Sequence, residues 1–312
     1  MSKFNFDPEK DIPSLTGKVI LVTGGTAGLG KETVISLASH SPAHIYFSGR
    51  SQKSADSILT ELKSLFPQVP VSFLRCDLAS LASVQQAAKE FVSKSSRLDI
   101  LIANAGIMAL PHGLTKDGYE LQFGTNHMGH ALLAKLLAPT LEATAEQMGE
   151  ARIVWLTSEG YMFHNKGGIP FELQKTPKGT TMPVMGRWYR YGQSKLANLL
   201  YARAFAKYHP TITSVSVHPG VSATGLVDGL GFFDRYFIRL TTIGKMIGAK
   251  ECAFNSQWAA TAPVGEGEGK VESGKFYMPV GEKKAPECEG GNDELMERLW
   301  HYTHDELNAY DL

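Results

Sequence analysis

The segment Val19-Ile20-Leu21-Val22-Thr23-Gly24-Gly25-Thr26-Ala27-Gly28-Leu29-Gly30 decides the fold. A short β-branched run ends at a glycine-rich turn, and Lys31 to Leu37 continue with a helical pattern. Strand, tight turn and helix in that order open a βαβ unit. Gly24 and Gly28 can take backbone angles that other residues avoid, and Gly30 lets helix and strand pack closely. A diphosphate then fits at the helix N-terminus, where unpaired amides and the helix dipole favour anions. The plain alternative is an ordinary glycine-rich βα turn, which the strand-turn-helix context near the N-terminus disfavours. Gly24, Thr26, Gly28, Leu29 and Gly30 are therefore candidate cofactor-binding residues.

Outward from this turn, strand and helix patterns alternate. Strands are expected at His44–Phe47, Val71–Leu74, Asp99–Ile102, Arg152–Leu156 and Thr213–Val217, with a seventh at Lys275–Tyr277. Helices are expected at Ala55–Leu65, Val84–Val92, Leu121–Gln147, Tyr191–Ala206 and Asp293–Leu307. The alternation predicts an α/β fold: a Rossmann-type, doubly wound, mostly parallel seven-stranded sheet with helices on both faces, as one domain over 1–312. Two segments interrupt it. Residues 161–188, rich in glycine and proline, form a long connection of the kind that is often functional, read as an active-site loop. Residues 225–248 are mostly apolar and are read as a substrate lid. A membrane-surface helix is the weaker reading there, because the stretch has few basic residues.

Composition narrows the function classes. The 312 residues are 43% hydrophobic and 20% charged, with 31 Lys+Arg against 31 Asp+Glu, so no basic excess points to nucleic acid. Cys76, Cys252 and Cys288 are odd in number and lack metal-ligand spacing, which fits reduced thiols. The N-terminus has no apolar secretory core and no run of 18 apolar residues occurs, so a cytoplasmic protein without a transmembrane segment is expected. His127 and His130 stand three residues apart without a third ligand, and no metal site is expected.

The chemistry-bearing residues follow the strands. Ser48-Gly49-Arg50 ends the second strand without a carboxylate for a ribose 2′-hydroxyl. Arg50 instead offers a planar fork of donors to a 2′-phosphate, which points to NADP(H); a solvated turn arginine is the alternative. Lys31 at the helix start opposes the dipole unless a phosphate is near. Asp77 and Leu78 end the third strand and Asn104-Ala105-Gly106 the fourth, where ligands bind in doubly wound sheets, although each is as much a cap or turn residue taken alone. Tyr191 and Lys195, four apart on a helix, share one face. A unit charge roughly 5 Å from a phenol at an effective dielectric of about 20 supplies about 3 kcal/mol, nearly enough to lower its pKa by roughly two to three units, which takes about 3–4 kcal/mol.

The glycine turn, Asn104-Ala105-Gly106, Ser158, Tyr191/Lys195 and Pro219-Gly220 occur in the order of the short-chain dehydrogenase/reductase family, which this chain resembles over about residues 17–225. Arg50, Ser194-Lys195-Leu196-Ala197-Asn198 and His218-Pro219-Gly220 resemble its retinol-dehydrogenase and WW-domain-oxidoreductase branch, and the C-terminal part is similar to fungal members of specialised metabolism. The resemblance implies a catalytic tetrad of Asn126, Ser158, Tyr191 and Lys195. Asn126 would hold a water joined to Lys195, Ser158 would bond the substrate oxygen, with Thr157 as its competitor, and Tyr191 would exchange the proton. Lys195 would lower the tyrosine pKa and bind the nicotinamide ribose. Pro219, Gly220 and Thr224 would contact the nicotinamide end. The sequence departs from the family at Ala103, at Trp155 and in the long gap between Ser158 and Tyr191. The implied activity is NADP(H)-dependent carbonyl reduction on a hydrophobic small molecule, with pairing of two copies through the Asn126 and Tyr191 helices. A non-catalytic dinucleotide-binding sensor or scaffold is the alternative.

Overall fold

The structure, a computed structural model, describes residues 6–176, 185–222 and 246–312. Most of the expected lid at 225–248, the centre of the 161–188 connection and Thr224 lie outside the described residues.

Strand β1 (Val19–Thr23) is wholly buried, because both faces of the sheet are covered. Alternation along the strand sends Val19 and Leu21 into one core and Ile20 and Val22 into the other. Around it run β2 (His44–Gly49), β3 (Val71–Arg75), β4 (Ile100–Ala103), β5 (Arg152–Leu156) and β6 (Thr213–Val217). The first layer of helices is α2 (Gly28–Ala38), after a short α1 (Pro8–Asp11), with α3 (Gln52–Leu65). The opposite layer holds α4 (Leu81–Lys94), α5 (Leu121–Phe123), α6 (Gly129–Met148) and α7 (Gly186–Tyr208). Residues Val221–Ser222 (β7) and Met246–Ile247 (β8) form a separate two-stranded pair.

The main sheet has eight strands, ordered β10-β9-β6-β5-β4-β1-β2-β3, with β9 at Phe276–Met278 and β10 at Glu282–Lys284. All pairs are parallel except β9 with β10. The expected count of seven omits β10, whose Glu-Lys-Lys sequence is exposed throughout and carries no apolar alternation. The expectation also lacks α8 (Ala249–Thr261), which joins α2 and α3 on their face. Its residues from Cys252 to Thr261 are nearly all buried, so no polar face marks it as a helix.

Two further features bear on the site. The expected helix over 121–147 is divided by a π-turn at Gly124–Met128, where Gly129 N–H donates to Gly124 O. The last helix, α9 (Asp293–Leu307), packs against α7, and its final carbonyl at Leu307 accepts from Lys135 Nζ of α6. Trp300 stacks on Tyr208 at 4.4 Å and Glu297 pairs with Lys207. On the other helix side, Thr303 meets His127 and Glu306 accepts from the Tyr119 hydroxyl.

Candidate active site

The strand order reverses between β1 and β4, and the carboxyl ends of these strands open a crevice there, as the topology requires. It is a cleft of about 400 Å³ lined by Gly24, Thr26, Gly28, Leu29, Gly30, Arg50, Asp77, Leu78, Asn104, Ala105, Gly106, Tyr191, Lys195 and Pro219. These are residues singled out in the sequence; the lining also takes in Ala27, Ile107, Leu110 and Thr125, which are not, while Asn126, Ser158 and Gly220 are not among the lining residues. Gly24 and Gly28 have φ of +70° and +54°, the region that glycine occupies freely. A Cβ at Gly30 would lie 2.6 Å from Asn104 Nδ2 and 2.8 Å from the Gly24 carbonyl carbon, so the turn and the β4 end close on an atom that must be absent. That glycine-shaped cradle at the N-terminus of α2 fits a dinucleotide diphosphate.

Around the cradle, Asn104 Nδ2 donates to Thr23 O at 2.7 Å, which braces the β4 end against β1. Arg50 is exposed at the cleft edge. Asp77 accepts from Ala79 N–H at 3.2 Å and faces Lys116 at 3.7 Å, so it caps its own turn as well as lining the cleft. Lys31 pairs with Glu61 at 2.8 Å, which answers the oddity of a cation in a first helical turn without a phosphate.

At the other end of the cleft, side chains from three elements converge: Asn126 from the π-turn, Ser158 from the turn after β5, and Tyr191 and Lys195 from α7. Lys195 is buried and its Nζ donates to Leu156 O at 3.0 Å, the same carbonyl that takes Asn198 Nδ2 at 3.1 Å. A Cβ on Gly106 would stand 3.4 Å from Lys195 Nζ and 3.3 Å from Asn126 Oδ1, which places those two side chains beside each other. A Cβ on Gly160 would stand 3.0 Å from the Tyr191 ring and 3.3 Å from Ser158 Oγ, which brings that pair together as well. Thr157, the competitor of Ser158, turns away: its hydroxyl donates to Lys195 O at 2.7 Å and is buried.

Asn126 sits in the π-turn with its side chain fully engaged. Its Nδ2 donates to Ile107 O and to Ser194 Oγ, each at 2.9 Å, and its Oδ1 accepts from Ile107 N–H at 2.8 Å. π-turns inside helices are frequent at functional sites. Upstream, the Glu120 carboxylate caps α5 by accepting from the Gln122 and Phe123 amides, and it pairs with Arg190 at 3.2 Å. One buried carboxylate thus ties the start of the Asn126 segment to the residue before Tyr191.

Electrostatics differ from the sequence expectation at one point. Lys195 Nζ lies 5.9 Å from the Tyr191 ring centre, where the same Coulomb arithmetic still yields about 3 kcal/mol. Yet the Tyr191 phenol is held above the ordinary value, because burial outweighs the hydrogen bond from Ser158 that lowers it. Burial also pushes Lys195 down to about 8. In the protein without cofactor the tyrosine therefore keeps its proton at neutral pH. His127 and His130 are buried and held neutral, at about 3 and about 4, and both engage protein groups.

Sequence reasoning did not single out Thr23 as a side chain, although it stands one residue before Gly24 in the motif. Its Oγ1 accepts from the Asn104 and Ala105 amides at 2.9 and 3.0 Å. Leu156, Asn198 and Ile107 were also missed, the first and last because they act through main-chain atoms that no side-chain pattern marks.

Comparison with known proteins decides the family. The profile described as short chain dehydrogenase matches residues 18–171. A short-chain dehydrogenase/reductase of Aspergillus calidoustus, drtF, is 38% identical over 96% of this chain and 97% of its own. The chain belongs to the short-chain dehydrogenase/reductase family. Human retinol dehydrogenase 13 is also similar, 33% identical over 92% of this chain and 83% of its own. Among solved structures, an uncharacterized protein of Mycobacterium paratuberculosis superposes with a TM-score of 0.72 at 25% identity, covering 98% of both chains. Members of this short-chain dehydrogenase/reductase family are oxidoreductases that bind a nicotinamide dinucleotide, and the glycine cradle is where such a cofactor fits. Among the described residues no helix is long and apolar enough to cross a membrane.

Proposed function

We propose that the chain is an NADP(H)-dependent reductase of aldehyde or ketone groups on hydrophobic small molecules. The observation that carries this reading is that Tyr191 and Lys195 line the cleft that holds the glycine cradle, with Ser158 set beside Tyr191 and Asn126 beside Lys195. The bound nicotinamide supplies or accepts the hydride at the substrate carbon. In reduction, the Tyr191 hydroxyl delivers its proton to the oxygen as negative charge develops there. The Ser158 hydroxyl donates a second hydrogen bond to the same oxygen. Lys195, a buried ammonium, is the nearby source from which Tyr191 is reprotonated, by way of a water on the Asn126 carbonyl. A phenol held above its ordinary value carries its proton at neutral pH, the form in which reduction begins.

The preference for the phosphorylated cofactor rests on Arg50, exposed at the cleft edge with no carboxylate beside it at the β2 end. Lys31, already paired with Glu61, adds nothing to that preference. Pro219 and Gly220, after β6, are proposed to bound the nicotinamide end; Thr224 is carried only by the resemblance. An apolar substrate is supported by Met108 and Ala109 packed against Trp188 in the first turn of the Tyr191 helix, and by the exposed Met162 and Phe163. Single-domain organisation, the 161–188 active-site loop and the 225–248 lid belong to the same proposal. Part of the Tyr191 helix surface, around Arg203, Lys207 and Tyr208, is already occupied by α9, which argues against pairing of two copies through that part.

The test is Tyr191→Phe. Turnover of an aldehyde or ketone panel with NADPH is expected to fall by at least about 10²-fold, while NADPH affinity stays within a few fold. Turnover equal to wild type would end the proposal. Binding of cofactor by the wild-type protein with no reaction over a broad carbonyl and alcohol panel would favour a sensor or scaffold instead.

A further inference from the structure

Behind the cleft lies a hydrogen-bonded chain of which the proposed reaction uses only the Asn126 carbonyl. Thr23, Asn126 and His130 are buried, His130 to 1% exposure. His130 Nδ1 is 2.9 Å from the main-chain O of Asn126, and its Nε2 is 2.8 Å from Thr23 Oγ1. The same Thr23 Oγ1 accepts from Asn104 N–H at 2.9 Å and Ala105 N–H at 3.0 Å.

Chemistry fixes where each proton sits. A carbonyl oxygen only accepts, so Nδ1 carries the proton that meets Asn126 O. Burial, with Lys195 contributing, keeps the imidazole neutral, so Nε2 is a bare acceptor. The Thr23 hydroxyl must then donate to Nε2, which leaves its two lone pairs for the two amides. The 3.4 Å approach of Thr23 Oγ1 to Ile102 O is left without a proton. Only the Nδ1–H tautomer satisfies every group in this chain.

We infer that His130 is a positioning residue that couples the cofactor-binding β4 turn, through Thr23, to the main-chain carbonyl of Asn126. The inference rests on the proposed role of that carbonyl in the proton path to Lys195. Because the Asn126 side chain is committed to Ile107 and Ser194, the carbonyl is the acceptor that such a path would use. His130 fixes its direction from behind, inside a π-turn where helical geometry alone does not. The same imidazole holds Thr23 in the rotamer that receives Asn104 and Ala105, two residues of the cleft wall. His127 offers the contrast: its Nε2 meets Thr303 on α9, away from the cleft, and its Nδ1 has no hydrogen-bond partner among the described residues.

The experiment uses the full-length protein labelled with ¹⁵N, with and without NADPH. A long-range imidazole ¹H–¹⁵N spectrum is expected to show His130 as the neutral Nδ1–H tautomer, unchanged between about pH 6 and 8. Thr23→Val removes the hydroxyl at nearly constant shape, whereas Thr23→Ser keeps it. Thr23→Val is expected to weaken NADPH binding about tenfold, equivalent to about 1.4 kcal/mol, and to lower kcat further with the KM of the carbonyl substrate little changed. Thr23→Ser is expected to restore both to within about threefold. A role confined to packing would lower thermal stability without this split and without the serine rescue. His130 found as the Nε2–H tautomer, or a folded Thr23→Val protein with wild-type NADPH affinity and kcat, would overturn the inference. Tautomer and NADPH affinity are read without turnover, so their outcome is distinguishable from failure of the reductase reading.

Discussion

Replacing Gly30 with alanine adds one methyl group at the tightest point of the cofactor cradle. Its Cβ would stand 2.6 Å from Asn104 Nδ2 and 2.8 Å from the Gly24 carbonyl carbon, and nearer still to the Gly24 oxygen. Carbon contacts of this kind settle at about 3.5 Å, so the overlap is close to an ångström and two of the three atoms it meets are backbone. Overpacking of this sort costs about 1–3 kcal/mol. If Asn104 swings aside, its 2.7 Å bond to Thr23 O is lost as well, a further cost of about 1 kcal/mol. The strain falls on the turn that receives the diphosphate, so NADPH affinity should fall by about 10- to 100-fold, roughly 1.4 kcal/mol per decade. The assay is fluorescence titration with NADPH beside a thermal melt. Gly118→Asn is the control: no atom lies within 4 Å of its would-be Cβ, and its φ of +82° is one that asparagine tolerates. Wild-type NADPH affinity in Gly30→Ala would refute the account of the cradle.

Arg50→Asp removes the forked donor at the end of β2 and puts a carboxylate in its place. NADPH affinity should fall about 10- to 100-fold, the equivalent of one or two charge-assisted hydrogen bonds, with NADH affinity changed far less; an unchanged NADPH-to-NADH ratio by titration would remove Arg50 from the site. Acid stability follows from the buried histidines, His127 at about 3 and His130 at about 4. Their folded values lie below the unfolded value near 6.5, so the unfolded chain takes up protons first as pH falls. Stability is full above about 6.5 and is lost toward 4 at about 1.4 kcal/mol per pH unit for each histidine. Denaturant melts from pH 7.5 to 5 check this, and His127→Gln should flatten the slope; equal stability across that range would contradict the burial of neutral imidazoles.

Much of the fold was legible because the buried parallel strands are short β-branched runs and the turns after them carry glycine. Arg152–Leu156, Thr213–Val217 and the last helix fall where the sequence puts them. What escaped did so for physical reasons. The strand Glu282–Lys284 has only charged side chains and is held by pairing with β9. The helix Ala249–Thr261 is buried on nearly all sides, so amphipathic periodicity is missing. Asn126 falls inside the expected 121–147 helix, where asparagine is a poor former, and the π-turn is the local departure from α-geometry that seats it. At the site, residues that act by side-chain type at fixed order, Ser158, Tyr191 and Lys195, were visible. Those that act by tertiary juxtaposition, such as the meeting of Thr23, His130 and Asn126, required the fold. The direction of the Tyr191 shift could not be read from spacing, because burial, which spacing does not encode, outweighs the charge.

The central claim, direct hydride transfer at the cleft closed by Tyr191, is tested most directly with NADPH deuterated stereospecifically at nicotinamide C4. Carbonyl substrates from the panel are reduced and the alcohol products are analysed by mass spectrometry and NMR. The account predicts deuterium at the carbinol carbon from one of the two labelled faces and none from the other, with product formation abolished in Tyr191→Phe. Alcohol products without carbinol deuterium from either labelled face, or full incorporation in Tyr191→Phe, would contradict it.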